Sequence, residues 1–149
     1  AARFFPEARL NYAENLLRRN DDTLAVVFRG EDKIEQKITW RDLNQLVSRL
    51  QQAMRAGGIQ PGDRVAGFMP NMPETLAAML AASSLGAVWT SGSPDFGLDG
   101  ALDRFGQTEP KLLFCPDGYW YNGKAVDIRG KMIQLAEQLP SVERLVVVP

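Results

Sequence analysis

The chain has 149 residues with 17 basic and 18 acidic side chains, a net charge of −1, so no overall field draws it to nucleic acid or to an anionic membrane surface. It contains no histidine and one cysteine, Cys115, which excludes an internal disulfide and removes the usual general base and the commonest metal ligand; metal-dependent hydrolysis and Ser/His or Cys/His catalysis are not expected of it, and no metal site is expected within it. A hydrophobic share of 45% with 23% charged residues is that of one soluble globular unit rather than a disordered or membrane chain.

The first residues, Ala1 to Pro6, have no initiator Met and no apolar signal-peptide core, so the chain reads as starting inside a longer protein. Leu10, Ala13 and Leu17 recur at helical spacing before the polar cluster Asn20-Asp21-Asp22, predicting a short helical extension over residues 1–22. Leu24 to Phe28 and Ile34 to Thr39 flank Gly30-Glu31-Asp32 and predict a β-hairpin. Thr39-Trp40-Arg41-Asp42 has the form of a capping box, in which a hydroxyl accepts an orphan amide and an acid three residues on reaches back. The helix it opens carries Leu43, Leu46, Val47, Leu50 and Met54 on one face and ends at Gly57-Gly58.

From Arg64 the pattern alternates. Short β-rich runs at Val65 to Met69, Ala87 to Thr90, Leu112 to Cys115 and Leu145 to Val148 are separated by helical stretches at Thr75 to Leu85, Leu98 to Phe105 and Ile128 to Leu139. Sequential βα units predict a parallel sheet with helices on its faces, so the expected fold is α/β: one unit over 1–149, a parallel βαβ series preceded by a short helix and a small hairpin. The apolar run Leu76 to Leu85 is too short to span a bilayer and reads as a buried helix.

Three loops follow predicted strands: Pro70 to Glu74, Ser91 to Gly97, and Pro116 to Lys124. In a parallel sheet they leave the carboxyl edge, where open α/β folds bind ligands, although Pro and Gly there also serve simple turns. Gly92 to Gly97 offers backbone amides and a following helix N-terminus, which suits an anion, but neither G-x-G-x-x-G nor a P-loop is present. Tyr119-Trp120-Tyr121-Asn122-Gly123-Lys124 places rings that can stack on a flat base beside a cation for phosphate; the same residues also fit a hairpin whose aromatics cover the sheet edge. Cys115, ending an apolar run, reads as a core thiol.

Ile38 to Leu43, Gly58 to Ala66, Met69-Pro70-Asn71-Met72-Pro73-Glu74 and Gly86-Ala87-Val88 together resemble, in order and spacing, the N-terminal domain of the adenylate-forming acyl-CoA synthetases. Phe5 to Leu17, Gly92 to Gly97 and Asp117 to Lys124 are similar to the acetoacetyl-CoA synthetases within that superfamily. The resemblance implies a cytoplasmic acid–thiol ligase that uses ATP, assisted by Mg2+, to turn acetoacetate into an acyl-adenylate and then into acetoacetyl-CoA, with AMP and pyrophosphate released. It implies ketone-body or storage-polymer metabolism as the setting. It also implies that this segment supplies scaffold and part of the CoA site, through Ser93, Pro94 and Asp95 and through Tyr121, Asn122, Gly123 and Lys124. Relatives of the acetyl-CoA type carry Arg at the position of Tyr121 and Gly-rich residues at Ser93-Pro94-Asp95, whereas Lys124 matches a basic position.

The Ser/Thr/Gly-rich phosphate loop ending in Lys, the adenine and ribose motifs and the C-terminal catalytic Lys of that family are not in this sequence, so the segment alone is expected to be inactive and to hold no cofactor by itself. Its apolar surface is expected to favour self-association, with no nucleic-acid or membrane partner. Two other readings stay open: a ligase for acetate, propionate or another short acid, and a stand-alone, non-catalytic α/β ligand-binding module.

Overall fold

The computed structural model describes residues 4–31 and 34–149, so Ala1 to Arg3 of the extension and Asp32 of the first turn lie outside the described residues. Of the described part of the extension, the one helix is α1 (Tyr12–Leu16), capped by Asn11, whose side chain accepts the Glu14 N–H at 3.1 Å. Ala13 is buried and Leu17 packs on the core, but Leu10 precedes the helix and stands 94% exposed, so the expected three-residue stripe is reduced to two.

Strands β1 (Leu24–Arg29) and β2 (Glu35–Thr39) pair antiparallel, as the hairpin pattern predicts. Thr39 then caps α2 (Trp40–Ala56) with the full capping box: Thr39 Oγ1 accepts the Asp42 N–H at 3.1 Å and the Asp42 carboxylate accepts the Thr39 N–H at 3.4 Å. The helix ends where Gly58 turns left-handed at φ +82°, which lets Ile59 N–H return to Met54 O at 3.0 Å.

The remaining elements are β3 (Arg64–Phe68), α3 (Pro73–Ser84), β4 (Val88–Gly92), α4 (Leu98–Thr108), β5 (Leu112–Pro116), β6 (Gly118–Tyr121), β7 (Lys124–Asp127), α5 (Arg129–Gln138) and β8 (Arg144–Val148). Four strands form one parallel sheet in the order β4-β3-β5-β8. Side chains alternate across it. Val65, Leu112 and Phe114 join α1, α2 and α3 in one apolar cluster, while Ala66, Phe68, Leu113 and Cys115 join α4 and α5 in a second on the opposite face. Helices thus cover both faces, which is what strands with near-continuous apolar runs require.

Two close approaches fix the layers. The Trp89 ring lies over Gly67 on the neighbouring strand, so that a methyl group there would stand 2.6 Å from Cζ2 and Cη2 of the indole. Phe68 and Phe105 meet edge to face, centroids 6.1 Å apart, which locks α4 against β3.

Of the two readings of the stretch after β5, the hairpin is the one the structure takes: β6–β7 is a second antiparallel pair, closed by Asn122 (φ 50°) and Gly123 (φ 72°). Two consecutive left-handed residues are the requirement of a two-residue hairpin turn, and Asn-Gly is the pair that meets it most readily.

Candidate functional site

The loop after β4 and the hairpin after β5 meet at one carboxylate. Tyr119 OH donates to Asp95 Oδ1 at 2.7 Å, and Ser93 Oγ donates to Asp95 Oδ2 at 2.9 Å. These two bonds, Tyr119 first, hold the Asp95 carboxyl below the usual carboxylate range, with the Lys131 charge adding to the effect. Tyr119 is pushed up to about 12, by burial first and by its bond to Asp95 second. Pro94 is fully buried beneath the loop, and the Lys131 ammonium on α5 donates to Pro94 O at 2.9 Å and Phe96 O at 3.1 Å.

These contacts revise the expectation of an anion cradle. The Phe96 N–H bonds Ser93 O at 3.1 Å and the Asp95 N–H bonds Ser93 Oγ at 3.3 Å, so two amides are satisfied inside the loop, which also carries its own negative charge. The loop after β3 lies alongside, Met69 N–H bonding Gly92 O at 3.2 Å, and one Glu74 carboxylate oxygen there is buried without a hydrogen-bond partner among the described residues.

Hairpin register decides which candidates face the same way. Tyr119 pairs with Val126 and Tyr121 with Lys124. Side chains two apart on a strand share a face, as do direct cross-strand partners, so Tyr121 and Lys124 project from the face that Tyr119 turns toward Asp95. Trp120 is on the opposite face with its partner Ala125. Tyr121 is 57% exposed and Lys124 is exposed, which leaves an aromatic ring and a cation open to a ligand beside the Ser93–Gly97 loop. Asn122 and Gly123 form the turn itself, and the Gly123 N–H is already taken by Glu31 Oε2 at 3.2 Å, so that amide is not open to a phosphate.

Among the seven candidates, then, Ser93 and Asp95 are bonded to one another, Pro94 is a buried support, Tyr121 and Lys124 share a face, and Asn122 and Gly123 set the geometry of that face. Tyr119, offered by the sequence only as a stacking ring, ties the hairpin to the loop, and Lys131, which fastens the loop to α5, was missing from the candidates. Tyr119 could have been found by its two-residue spacing from Tyr121; Lys131 has no sequence signal, because its acceptors are backbone carbonyls 35 and 37 residues away. Cys115 is a buried core thiol, as expected. Among the described residues no cluster of three or more ligating side chains could hold a metal, and no helix is long and apolar enough to cross a membrane.

The family described as AMP-binding enzyme matches residues 13–149. Acetoacetyl-coenzyme A synthetase of Rhizobium meliloti (strain 1021) is 62% identical over 138 residues, 93% of this chain and 21% of that protein. Malonamoyl-CoA synthetase of Penicillium aethiopicum is 46% identical over 150 residues, 97% of this chain and 21% of its own length. The solved structure of acetoacetyl-CoA synthetase from Streptomyces lividans superposes with a TM-score of 0.93 at 42% identity, covering 99% of this chain and 23% of the other. The chain spans about a fifth of the length of the curated relatives it matches.

Proposed function

Because the chain belongs to the AMP-binding enzyme family, we propose that it is the N-terminal part of an acid–thiol ligase that joins acetoacetate to CoA at the expense of ATP, through an acyl-adenylate, releasing AMP and pyrophosphate. The observation that carries this reading is the 62% identity to an acetoacetyl-coenzyme A synthetase along 93% of the chain. A cytoplasmic setting and a product entering ketone-body or storage-polymer metabolism belong to the same proposal.

In this reading the segment supplies scaffold and one wall of the CoA site. CoA joins a flat adenine base and several phosphates to a pantetheine arm, and when bound it contributes the thiol at the end of that arm, which takes up the acyl group. Lys124 offers a point charge to a phosphate and Tyr121 a ring to the base, from a face oriented by the Asn122-Gly123 turn. Ser93, Pro94 and Asp95 form the facing wall, held by Tyr119. These residues fit CoA; ATP and Mg2+ are assigned to the longer protein, and the segment by itself is proposed to release no pyrophosphate from ATP and acetoacetate. Phe4, Phe5 and Leu10, more than four-fifths exposed, are the surface on which the isolated segment would self-associate, which sedimentation velocity over a concentration series measures.

The second reading concerns the acid alone. A malonamoyl-CoA synthetase is 46% identical over this segment, so a different short acid is compatible with everything here. The full-length gene product should be assayed for AMP formation with acetoacetate, malonamate, acetate and propionate in parallel. The proposal expects the highest kcat/KM with acetoacetate; a preference for another acid retains the ligase and replaces its substrate, and the absence of CoA-dependent AMP formation with all four acids sinks the ligase.

A further inference from the structure

The wall formed by Ser93 to Phe96 is fastened from two sides. On one, Tyr119 and Ser93 hold the Asp95 side chain. On the other, Lys131 in the first turn of α5 aims two donors at the carbonyls that flank Asp95, Pro94 O at 2.9 Å and Phe96 O at 3.1 Å. The Lys131 ammonium stands 5.7 Å from the centroid of the fully buried Phe68 ring, at the carboxyl end of β3, so its stem crosses the end of the core to reach the loop. Among the described residues no carboxylate lies within ion-pair distance of it. The charge is directed at the loop backbone instead, and hydrogen bonds from an ionised donor are about twice as strong as neutral ones. Residues 94–96 therefore have their backbone fixed by α5 and their side chain fixed by β6, and their position relative to Tyr121 and Lys124 is set by these contacts.

We infer that Lys131 is a positioning residue for CoA: it does not touch the ligand but sets the distance between the Ser93–Phe96 wall and the hairpin face that carries Tyr121 and Lys124. The inference rests on the reading of that face as a CoA site. Lys131→Met keeps a stem of similar length over Phe68 and removes every donor, while Lys131→Arg keeps a charged donor.

The test uses the full-length protein that carries this chain, with two measurements. Amide hydrogen exchange should quicken about tenfold over residues 93–97 in Lys131→Met and stay unchanged over 70–72, and the KM for CoA should rise about tenfold while exchange of pyrophosphate into ATP, which needs no CoA, changes little. Lys131→Arg should restore most of both. If the Met variant is recovered unfolded, Lys131→Gln, whose amide retains one donor group, takes its place with a smaller rise. Unchanged exchange over 93–97 would show that no clamp exists and would overturn the inference. Quickened exchange with an unchanged KM, when Lys124→Ala does raise it, would overturn the positioning role and leave the CoA site standing. If neither Lys124→Ala nor Tyr121→Ala moves the KM, the CoA site itself is wrong and the role of Lys131 falls with it.

Discussion

Tyr119→Phe removes one oxygen and leaves the ring. What is lost is a 2.7 Å hydrogen bond to the ionised Asp95, the contact that joins the β4–α4 loop to the β6–β7 hairpin. A bond to a charged acceptor contributes about 1.5–3 kcal/mol when shielded; Asp95 is exposed and keeps its Ser93 partner, so the coupling expected between Tyr119 and Asp95 is about 1 kcal/mol. In a chain of this size that is a fall of roughly 2–4 °C in Tm. The measurement is a double-mutant cycle of Tyr119→Phe and Asp95→Ala by urea unfolding, which removes the separate costs of ring desolvation and lost packing. Its pH dependence gives the sign. Asp95 has a depressed pKa in the folded state, so its contribution is present above its ordinary value of 3.8 and is lost as pH falls through the lower folded value. Tyr119 is raised from 10.0 to about 12, so its contribution is complete below pH 10 and is lost as pH rises through 12. The coupling should therefore be flat from about pH 5 to pH 9 and shrink at both ends. A coupling near zero at pH 7, or one that does not shrink in acid, would refute the account.

Gly67→Ala sets a methyl 2.6 Å from the Trp89 ring and should cost about 1–3 kcal/mol of unfolding free energy; in a Trp89→Leu background the penalty should largely vanish. Thr39→Ala removes the capping box of α2 and should lower stability by about 1 kcal/mol, with loss of helical circular dichroism confined to the region of the transition. Phe105→Ala empties a fully buried site edge-on to Phe68 and should cost about 3–5 kcal/mol in denaturant melts.

What could be read from the residues was what is local. The Thr39–Asp42 box starts α2 because both partners are within one helical turn, and the alternation of β-rich and helical runs yields the parallel sheet without knowledge of the strand order. The order β4-β3-β5-β8 depends on pairing between strands far apart in sequence, which no window of residues encodes. Tyr119 to Lys124 was readable in two ways because Asn-Gly is both a hairpin turn and a flexible loop signal; backbone pairing from Gly118 to Asp127 decides for the hairpin, and its exposed face still carries Tyr121 and Lys124. The extension misled in one respect: Leu10 has the right spacing for α1, but the cap at Asn11 starts the helix after it. Lys131 remained hidden because a lysine whose acceptors are carbonyls on a distant loop looks like any surface lysine.

Cys115, the chain's one thiol, occupies an interior strand, with β3 on one side and β8 on the other, and its burial pushes its pKa up to about 12. In the folded chain the thiol is almost wholly un-ionised near pH 8, and it gains thiolate once the strand is released to solvent. A disulfide reagent will therefore react only through opening of the sheet, and the protein carries its own reporter for that event. Under conditions where reclosing outruns labelling, the observed rate gives the free energy of opening at a single central atom, with no probe to attach. The Gly67 and Phe105 variants, which loosen opposite faces of the same sheet, can then be ranked by how fast they expose that sulfur.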